Sequence, residues 1–232
     1  MELKIIYQDE RLIAINKPHG LLVHRSPIAA DASEFAVQLL REQIGRKVYP
    51  VHRLDRKTGG VLLFALDSEM NSAMQQLFME REVDKTYLAI VRGHSPDSGT
   101  IDYPLTDEKG NVHQAVTHFK TLERFEIPFP FGKHLTSRYS LVEVKPETGR
   151  MHQIRKHFAH IFHPIIGDRP HGCNKQNKLF LEKWGMNTML LHASVLMFVH
   201  PETGEKVQIS APVQHDFERM LHEFRNYSLV PQ

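Results

Sequence analysis

Six apolar residues in succession, Val61-Leu-Leu-Phe-Ala-Leu66, follow directly on a pair of glycines and a loop crowded with charge. The run shows neither helical nor alternating polarity, so both of its faces must be covered. A strand of that kind belongs inside a sheet and makes a rigid base for the loop before it. That loop is Val51-His-Arg-Leu-Asp-Arg-Lys-Thr-Gly-Gly60. One carboxylate, Asp55, stands among Arg53, Arg56 and Lys57, and two glycines permit a tight turn and close approach of another backbone. A plain surface loop of exposed ion pairs has the same composition. The alternative is chemistry on an anionic polymer, and the remainder of the chain has to decide.

The segments around this strand predict a strand-rich chain. Residues 3–7 and 12–16 form a hairpin pattern, and 21–24 a further short strand. A helix is expected over 31–46, capped by Asp31 or Ser33. A second follows Asp67, with Met70, Met74, Leu77 and Phe78 as core filler on its inner face. Strands are expected over 85–92, 115–123, 138–144, 190–199 and 206–209. A helix over 148–161 carries an apolar stripe of Met151, Ile154, Phe158 and Ile161, and a last helix covers 216–224. Residues 100–114 look irregular and 172–188 mixed. Without regular βαβ alternation, this order predicts an α+β fold: a mixed, mostly antiparallel sheet with flanking helices.

Composition narrows the function classes. At 232 residues the chain suffices for one large domain or two small ones. No apolar stretch approaches the ~20 residues of a membrane span, so no membrane partner is expected. The N-terminus turns acidic at once and lacks a signal-peptide profile, and the single cysteine, Cys173, allows no internal disulfide. The expected compartment is the cytoplasm. A net charge of +2 is no bulk polycation, so nucleic-acid binding would need a local patch. Such a patch runs from Lys145 to Arg169, where Lys145, Arg150, Arg155, Lys156 and Arg169 face only Glu147 and Asp168. Arg155 flanks the apolar stripe and points inward, so it needs an acid partner, for which Asp55 is the candidate.

Metal is the rival use of His152, His157, His160, His163 and His171, but their spacing gives no H-E-x-x-H pair and there is no Cys-x-x-Cys. A phosphate-binding glycine loop, a dinucleotide fingerprint and a Gly-x-Ser-x-Gly elbow are absent as well. The sequence therefore predicts no metal and no cofactor.

Five ordered motifs carry a family resemblance. His52-Arg-Leu-Asp-Arg-Lys-Thr-Gly-Gly60 resembles the central box of the RluA-type pseudouridine synthases. Asn16-Lys-Pro-His-Gly20 precedes it, and Lys85-Thr-Tyr-Leu-Ala89 follows. Glu147-Thr-Gly-Arg-Met-His-Gln-Ile-Arg155 continues to His163-Pro-Ile-Ile-Gly-Asp168, and Leu191-His-Ala193 with His200-Pro-Glu-Thr-Gly-Glu205 closes the series. The likeness spans residues 3–213. It implies the pseudouridine synthase fold with a central active-site cleft, residues 1–232 as a single catalytic domain, and no appended S4-like RNA-binding domain. Phe162 stands where the family usually has glycine, His171 where it has tyrosine, and Gly59 where serine is commoner. The first two, with the insert at 172–180, point to a subgroup acting on uridine at nucleotide 65 of transfer RNA. Ribosomal RNA is the alternative target, and a non-catalytic transfer-RNA chaperone a remoter one.

The resemblance also implies roles. Breaking the N1–C1′ bond of uridine and rejoining the base through C5 adds and removes nothing, so no cofactor is called for. Asp55 matches the catalytic carboxylate, attacking C1′ or C6 or acting as a base through a glycal. Arg155 matches the cation that keeps it ionised. Tyr87 matches the tyrosine that stacks on the uracil, and Arg53 the residue that displaces the nucleotide. Arg56, Lys57, Arg150 and Lys156 are the expected phosphate contacts. The expected partner is transfer RNA alone, bound by a monomer.

Overall fold

The structure, a computed structural model, describes residues 1–24 and 34–228. The chain forms two compact units, one from residues 1–85 and 193–213, the other from 86–192 and the chain from 214 onward. Strands β1 (Ile5–Gln8) and β2 (Leu12–Lys17) are followed by helix α1 (Ala36–Ile44), strands β3 (Tyr49–Pro50) and β4 (Gly59–Ala65) and helix α2 (Ser68–Glu80). Strand β5 (Asp84–Arg92) leads into the second unit, which continues with β6 (Ser98–Asp102), β7 (Leu105–Thr106), β8 (Val112–His113), β9 (Val116–Ile127) and β10 (Ser137–Pro146). Helices α3 (Gln153–His160) and α4 (Asn174–Trp184) come next. Strand β11 (Leu191–Val199) returns to the first unit, where β12 (Lys206–Ser210) follows, and α5 (His215–Tyr227) belongs to the second.

In the first unit the strand order is β1-β2-β4-β11, with β12 on β11 and β3 on β4. All seven residues of β4 are buried, as an apolar run without alternation requires. Val61, Leu63 and Ala65 pack on Met70 and Met74 of α2 and on Leu196 and Phe198 of β11. Asp67 caps α2 by accepting from the Met70 N–H at 2.8 Å, and it also takes two hydrogen bonds from Arg11. At Gly60, φ is +109° and a Cβ would lie 2.1 Å from the Ala193 carbonyl oxygen. The glycine is thus fixed by the approach of a neighbouring backbone.

The second unit holds the order β5-β10-β9-β6, antiparallel throughout. Ile154 and Phe158 of α3 pack on Ala89 and Val91 of β5 and on Val142 and Val144 of β10. Phe224 of α5 stacks on Tyr139 of β10 at 4.7 Å, and Phe180 of α4 meets Tyr139 edge-on at 5.5 Å. The fold is therefore the expected mixed, mostly antiparallel sheet with helices. No described helix is long and apolar enough to cross a membrane.

Several local expectations need correction. Residues 21–24 make no strand; Leu22 forms only an isolated bridge to Phe35. Helix α1 is shorter than expected, and the predicted caps Asp31 and Ser33 lie outside the described residues. Residues 100–114 are ordered by β6 and by the β7–β8 hairpin, whose turn Asp107 closes by accepting from the N–H groups of Lys109 and Asn111. The helix expected from 148 starts only at Gln153, because His152 has a left-handed backbone with φ +57°. Met151, expected on the buried stripe, is 46% exposed in consequence. Residues 174–184, expected to be mixed, are helical.

Gly60→Ala should destabilise the protein by about 3 kcal/mol, since it combines a left-handed backbone with a backbone clash that cannot relax. Urea unfolding of the variant beside Gly59→Ala, which lacks the positive φ, checks this.

Candidate active site

The loop before β4 is fastened from below by a lysine. Lys17, at the end of β2, is fully buried, and its Nζ donates to the carbonyl oxygens of Leu21 at 2.8 Å, Pro18 at 3.1 Å and Arg56 at 3.2 Å. The Gly20 N–H donates to the Arg56 carbonyl, Arg56 Nε donates back to the Gly20 carbonyl, and His19 Nδ1 bonds the Lys57 carbonyl at 2.6 Å. Residues 17–21 and 56–57 are thereby stitched together. Burial pushes the Lys17 ammonium down to about 7, and the negative charge of Asp55 works against that shift. Asp55 therefore lies within the electrostatic reach of a buried cation of its own unit. In the sequence Lys17 stands within the Asn-Lys-Pro motif, where nothing marks its role in the loop.

His52 anchors the other side of the loop. The Leu63 N–H donates to its Nε2 at 3.1 Å, so that nitrogen carries no proton, and the ring stacks on Phe78 at 5.1 Å. Burial first, and then the nearby Lys85, push its pKa to about 4. It serves as a neutral support. Arg53 and Arg56 point into solvent on the same loop, with Lys57 and Asp55 half-exposed.

In the second unit the central feature is a buried ion pair. Arg155 of α3 donates from Nε to Asp168 Oδ2 and from Nη2 to Asp168 Oδ1, both at 2.8 Å. Arg155 is 7% exposed and Asp168 1%. This is the planar two-bond geometry that a guanidinium makes with a carboxylate. In the sequence, Asp168 figures only as a negative charge within the basic cluster. No spacing rule links positions 155 and 168; folding of the turn after Ile166 does.

That turn is held by residues whose part in it no spacing in the sequence reveals. At Gly167, φ is +83° and a Cβ would meet the Thr188 carbonyl oxygen at 1.8 Å. Asn177 of α4 accepts from the Gly167 N–H at 2.9 Å and donates to the Asp168 carbonyl at 2.7 Å. The His171 N–H adds a bond to Asp168 Oδ1 at 3.3 Å, and its ring nitrogen Nε2 lies 3.0 Å from His152 Nδ1. The insert thus fixes the backbone of the turn whose carboxylate clamps Arg155. At the start of α3, Gln153 uses its whole amide. It accepts from Thr148 Oγ1 and the Arg150 N–H, and donates to the Val116 carbonyl and Thr117 Oγ1.

The clustered histidines are similarly occupied. His157 bonds Thr117 Oγ1 and the Tyr103 carbonyl, and burial lowers its pKa. His160 stacks on Tyr103, and His163 Nδ1 bonds the Arg92 carbonyl. Among the described residues, no group of three or more His, Cys, Asp or Glu is disposed to hold a metal. Tyr87, on β5 opposite Val144, is half-buried against the second unit's core. Arg150 is exposed and Lys156 half-exposed; they bond the carbonyls of Gln114 and Thr106 at 3.3 and 3.4 Å.

Two outcomes follow from these environments. The folded chain holds His52 neutral with a pKa near 4, below the ordinary 6.5. On acidification the unfolded chain takes up the proton first, so stability is full above 6.5 and falls as pH drops toward 4. Thermal unfolding across that window should fall less steeply in His52→Gln. Asp168→Asn should cost about 3 kcal/mol in urea unfolding, because it removes the charge from one half of a buried two-bond pair, and Arg155→Met with Asp168→Leu should cost less.

Comparison with known proteins bears on the same segments. A family model described as RNA pseudouridylate synthase matches residues 11–160. The tRNA pseudouridine synthase C of Haemophilus ducreyi is 47% identical over 97% of this chain and 96% of its own length. That of Yersinia pestis is 42% identical over 99% of this chain and 93% of its own. Among solved structures, human RNA pseudouridylate synthase domain containing 4 superposes with a TM-score of 0.73 at 27% identity, covering 96% of this chain and 93% of that one. With a matching family model over more than half its length and relatives of this likeness end to end, the chain belongs to the RNA pseudouridylate synthase family.

Proposed function

We propose that this chain is an isomerase that converts uridine to pseudouridine in transfer RNA, at nucleotide 65, as one catalytic domain working as a cytoplasmic monomer. The observation that carries the reading is the end-to-end likeness to proteins named tRNA pseudouridine synthase C, at 47% and 46% identity in two of them. The reaction breaks the N1–C1′ bond, turns the uracil and forms a C5–C1′ bond. The hydrogen on C5 leaves as a proton, and N1 regains one. Nothing in that balance calls for a cofactor.

Asp55 is the nucleophile, directed at C1′ of the ribose or C6 of the base. Its loop is supported by the Lys17 and His52 bonds, which hold the backbone still while the side chain stays accessible. Arg155 supplies a cation whose plane is set by Asp168, so its orientation needs no rearrangement when substrate arrives. Tyr87 offers a ring for the uracil and a hydroxyl for a proton. Arg53 takes the space vacated by the displaced nucleotide. Arg56, Lys57, Arg150 and Lys156 contact phosphates and make binding salt-dependent.

Asp55→Asn should lower turnover to below about a thousandth of the wild-type rate in a C5-tritium release assay, with transfer-RNA affinity kept. Near-normal turnover would remove the aspartate from the chemistry. Tyr87→Phe should retain substrate affinity and Tyr87→Leu lose it; equal affinities would show that stacking is not what the ring contributes. The target is tested by mapping pseudouridines in the transfer and ribosomal RNA of a deletion strain. Loss at nucleotide 65 of transfer RNA is expected; loss confined to ribosomal RNA would redirect the assignment.

A further inference from the structure

Helix α3 ends in a motif that ordinarily asks for glycine. The Phe162 N–H donates to the Ala159 carbonyl at 3.1 Å, and the His163 N–H reaches back to the Phe158 carbonyl at 2.9 Å. This double closure needs a left-handed residue between them, and that residue is Phe162 with φ +64°. Two other described non-glycine residues have positive φ, Arg81 and His152, and both carry polar side chains. A phenylalanine is the harder case, because its bulk meets the backbone and no polar group compensates.

The ring gains nothing from burial in return. Phe162 is 87% exposed, the highest value among the large apolar side chains described. Residues held in strained backbone conformations cluster at functional sites, where the strain serves the mechanism. Helix α3 has no acidic residue; Arg155 and His157 are buried in bonds of their own, but Lys156 and His160 reach the surface, so an approaching anionic polymer meets no repulsion from it. A flat apolar ring at the end of a helix free of acid, with a lysine on its surface, matches an unpaired base on a phosphate backbone.

We propose that Phe162 is a base-stacking contact for the RNA substrate, held in solvent at the expense of fold stability. The inference rests on the reading of the chain as an RNA-modifying enzyme and extends it to a residue outside the motifs. The ring takes one unpaired or everted base of the RNA, and Lys156 on the same helix is the cation for a phosphate. Stacking is indifferent to base identity, so the contact fixes position along the strand rather than sequence.

Stability and binding should move in opposite directions. In the full-length protein, Phe162→Gly should raise the melting temperature by about 1–4 °C. The same variant should weaken binding of a transfer-RNA transcript by about tenfold, with the slope of log affinity against log salt unchanged. Phe162→Trp should restore affinity. Undiminished binding by Phe162→Gly would overturn the proposal, as would a lower melting temperature, which would mean that the ring serves the fold. A shift in oligomeric state without loss of RNA affinity would likewise overturn it, assigning the ring to a protein contact. The wild-type protein is assayed on transfer-RNA and ribosomal-RNA transcripts in parallel. If it binds and modifies only the latter, the proposed target falls, while weaker binding of that RNA by Phe162→Gly would leave the stacking role intact.

Discussion

A guanidinium locked to a carboxylate out of contact with water is the constraint around which the second unit is arranged. Removing Arg155 and Asp168 from solvent is costly, and the cost is offset only if the two groups meet squarely and their remaining bonding sites are filled. The chain sets that meeting with bonds at the start of α3 and around the turn that carries Asp168. Gln153 fixes the start of α3, the left-handed Gly167 turns the chain toward Asn177, and the His171 N–H takes a carboxylate oxygen. Without these bonds the pair would lose its geometry and, with it, the reason for being buried. The insert at α4 belongs to this arrangement, since its asparagine fixes the turn that carries Asp168.

The larger features were legible in the sequence for identifiable physical reasons. An unbroken apolar run has one outcome, a strand covered on both faces, and β4 is that strand. Asp67 could be recognised as a cap because its bond is local, to the Met70 N–H three residues on. What could not be read depends on long-range closure. Asp168 meets Arg155 across thirteen positions, and Asn177 meets Gly167 across ten, through bends that no periodicity encodes. The helix over 148–161 was overextended for a related reason. Its apolar spacing was sound, but His152 takes a left-handed conformation that spacing does not reveal.

The histidines show how composition can misdirect. Sixteen in a chain of this length raise the question of metal. Their bonds give another account, because several are held by carbonyl, hydroxyl or N–H partners. His52 accepts from a backbone N–H, whereas His157 spans a threonine hydroxyl and a carbonyl. A neutral imidazole both donates and accepts, which suits it to joining two backbone segments of opposite need.

The ammonium of Lys17 has the same relation to three carbonyl oxygens that a dehydrated alkali cation has in a coordination shell. Here the cation is tethered to the chain, so no other ion can replace it, although burial brings its pKa down to about 7. Charges exposed on a surface are screened within about 8 Å at physiological ionic strength, whereas a sealed one is largely spared. The loop bearing Asp55 should therefore keep its shape at salt concentrations that release RNA from Arg56 and Lys57, leaving architecture and substrate capture under separate ionic control.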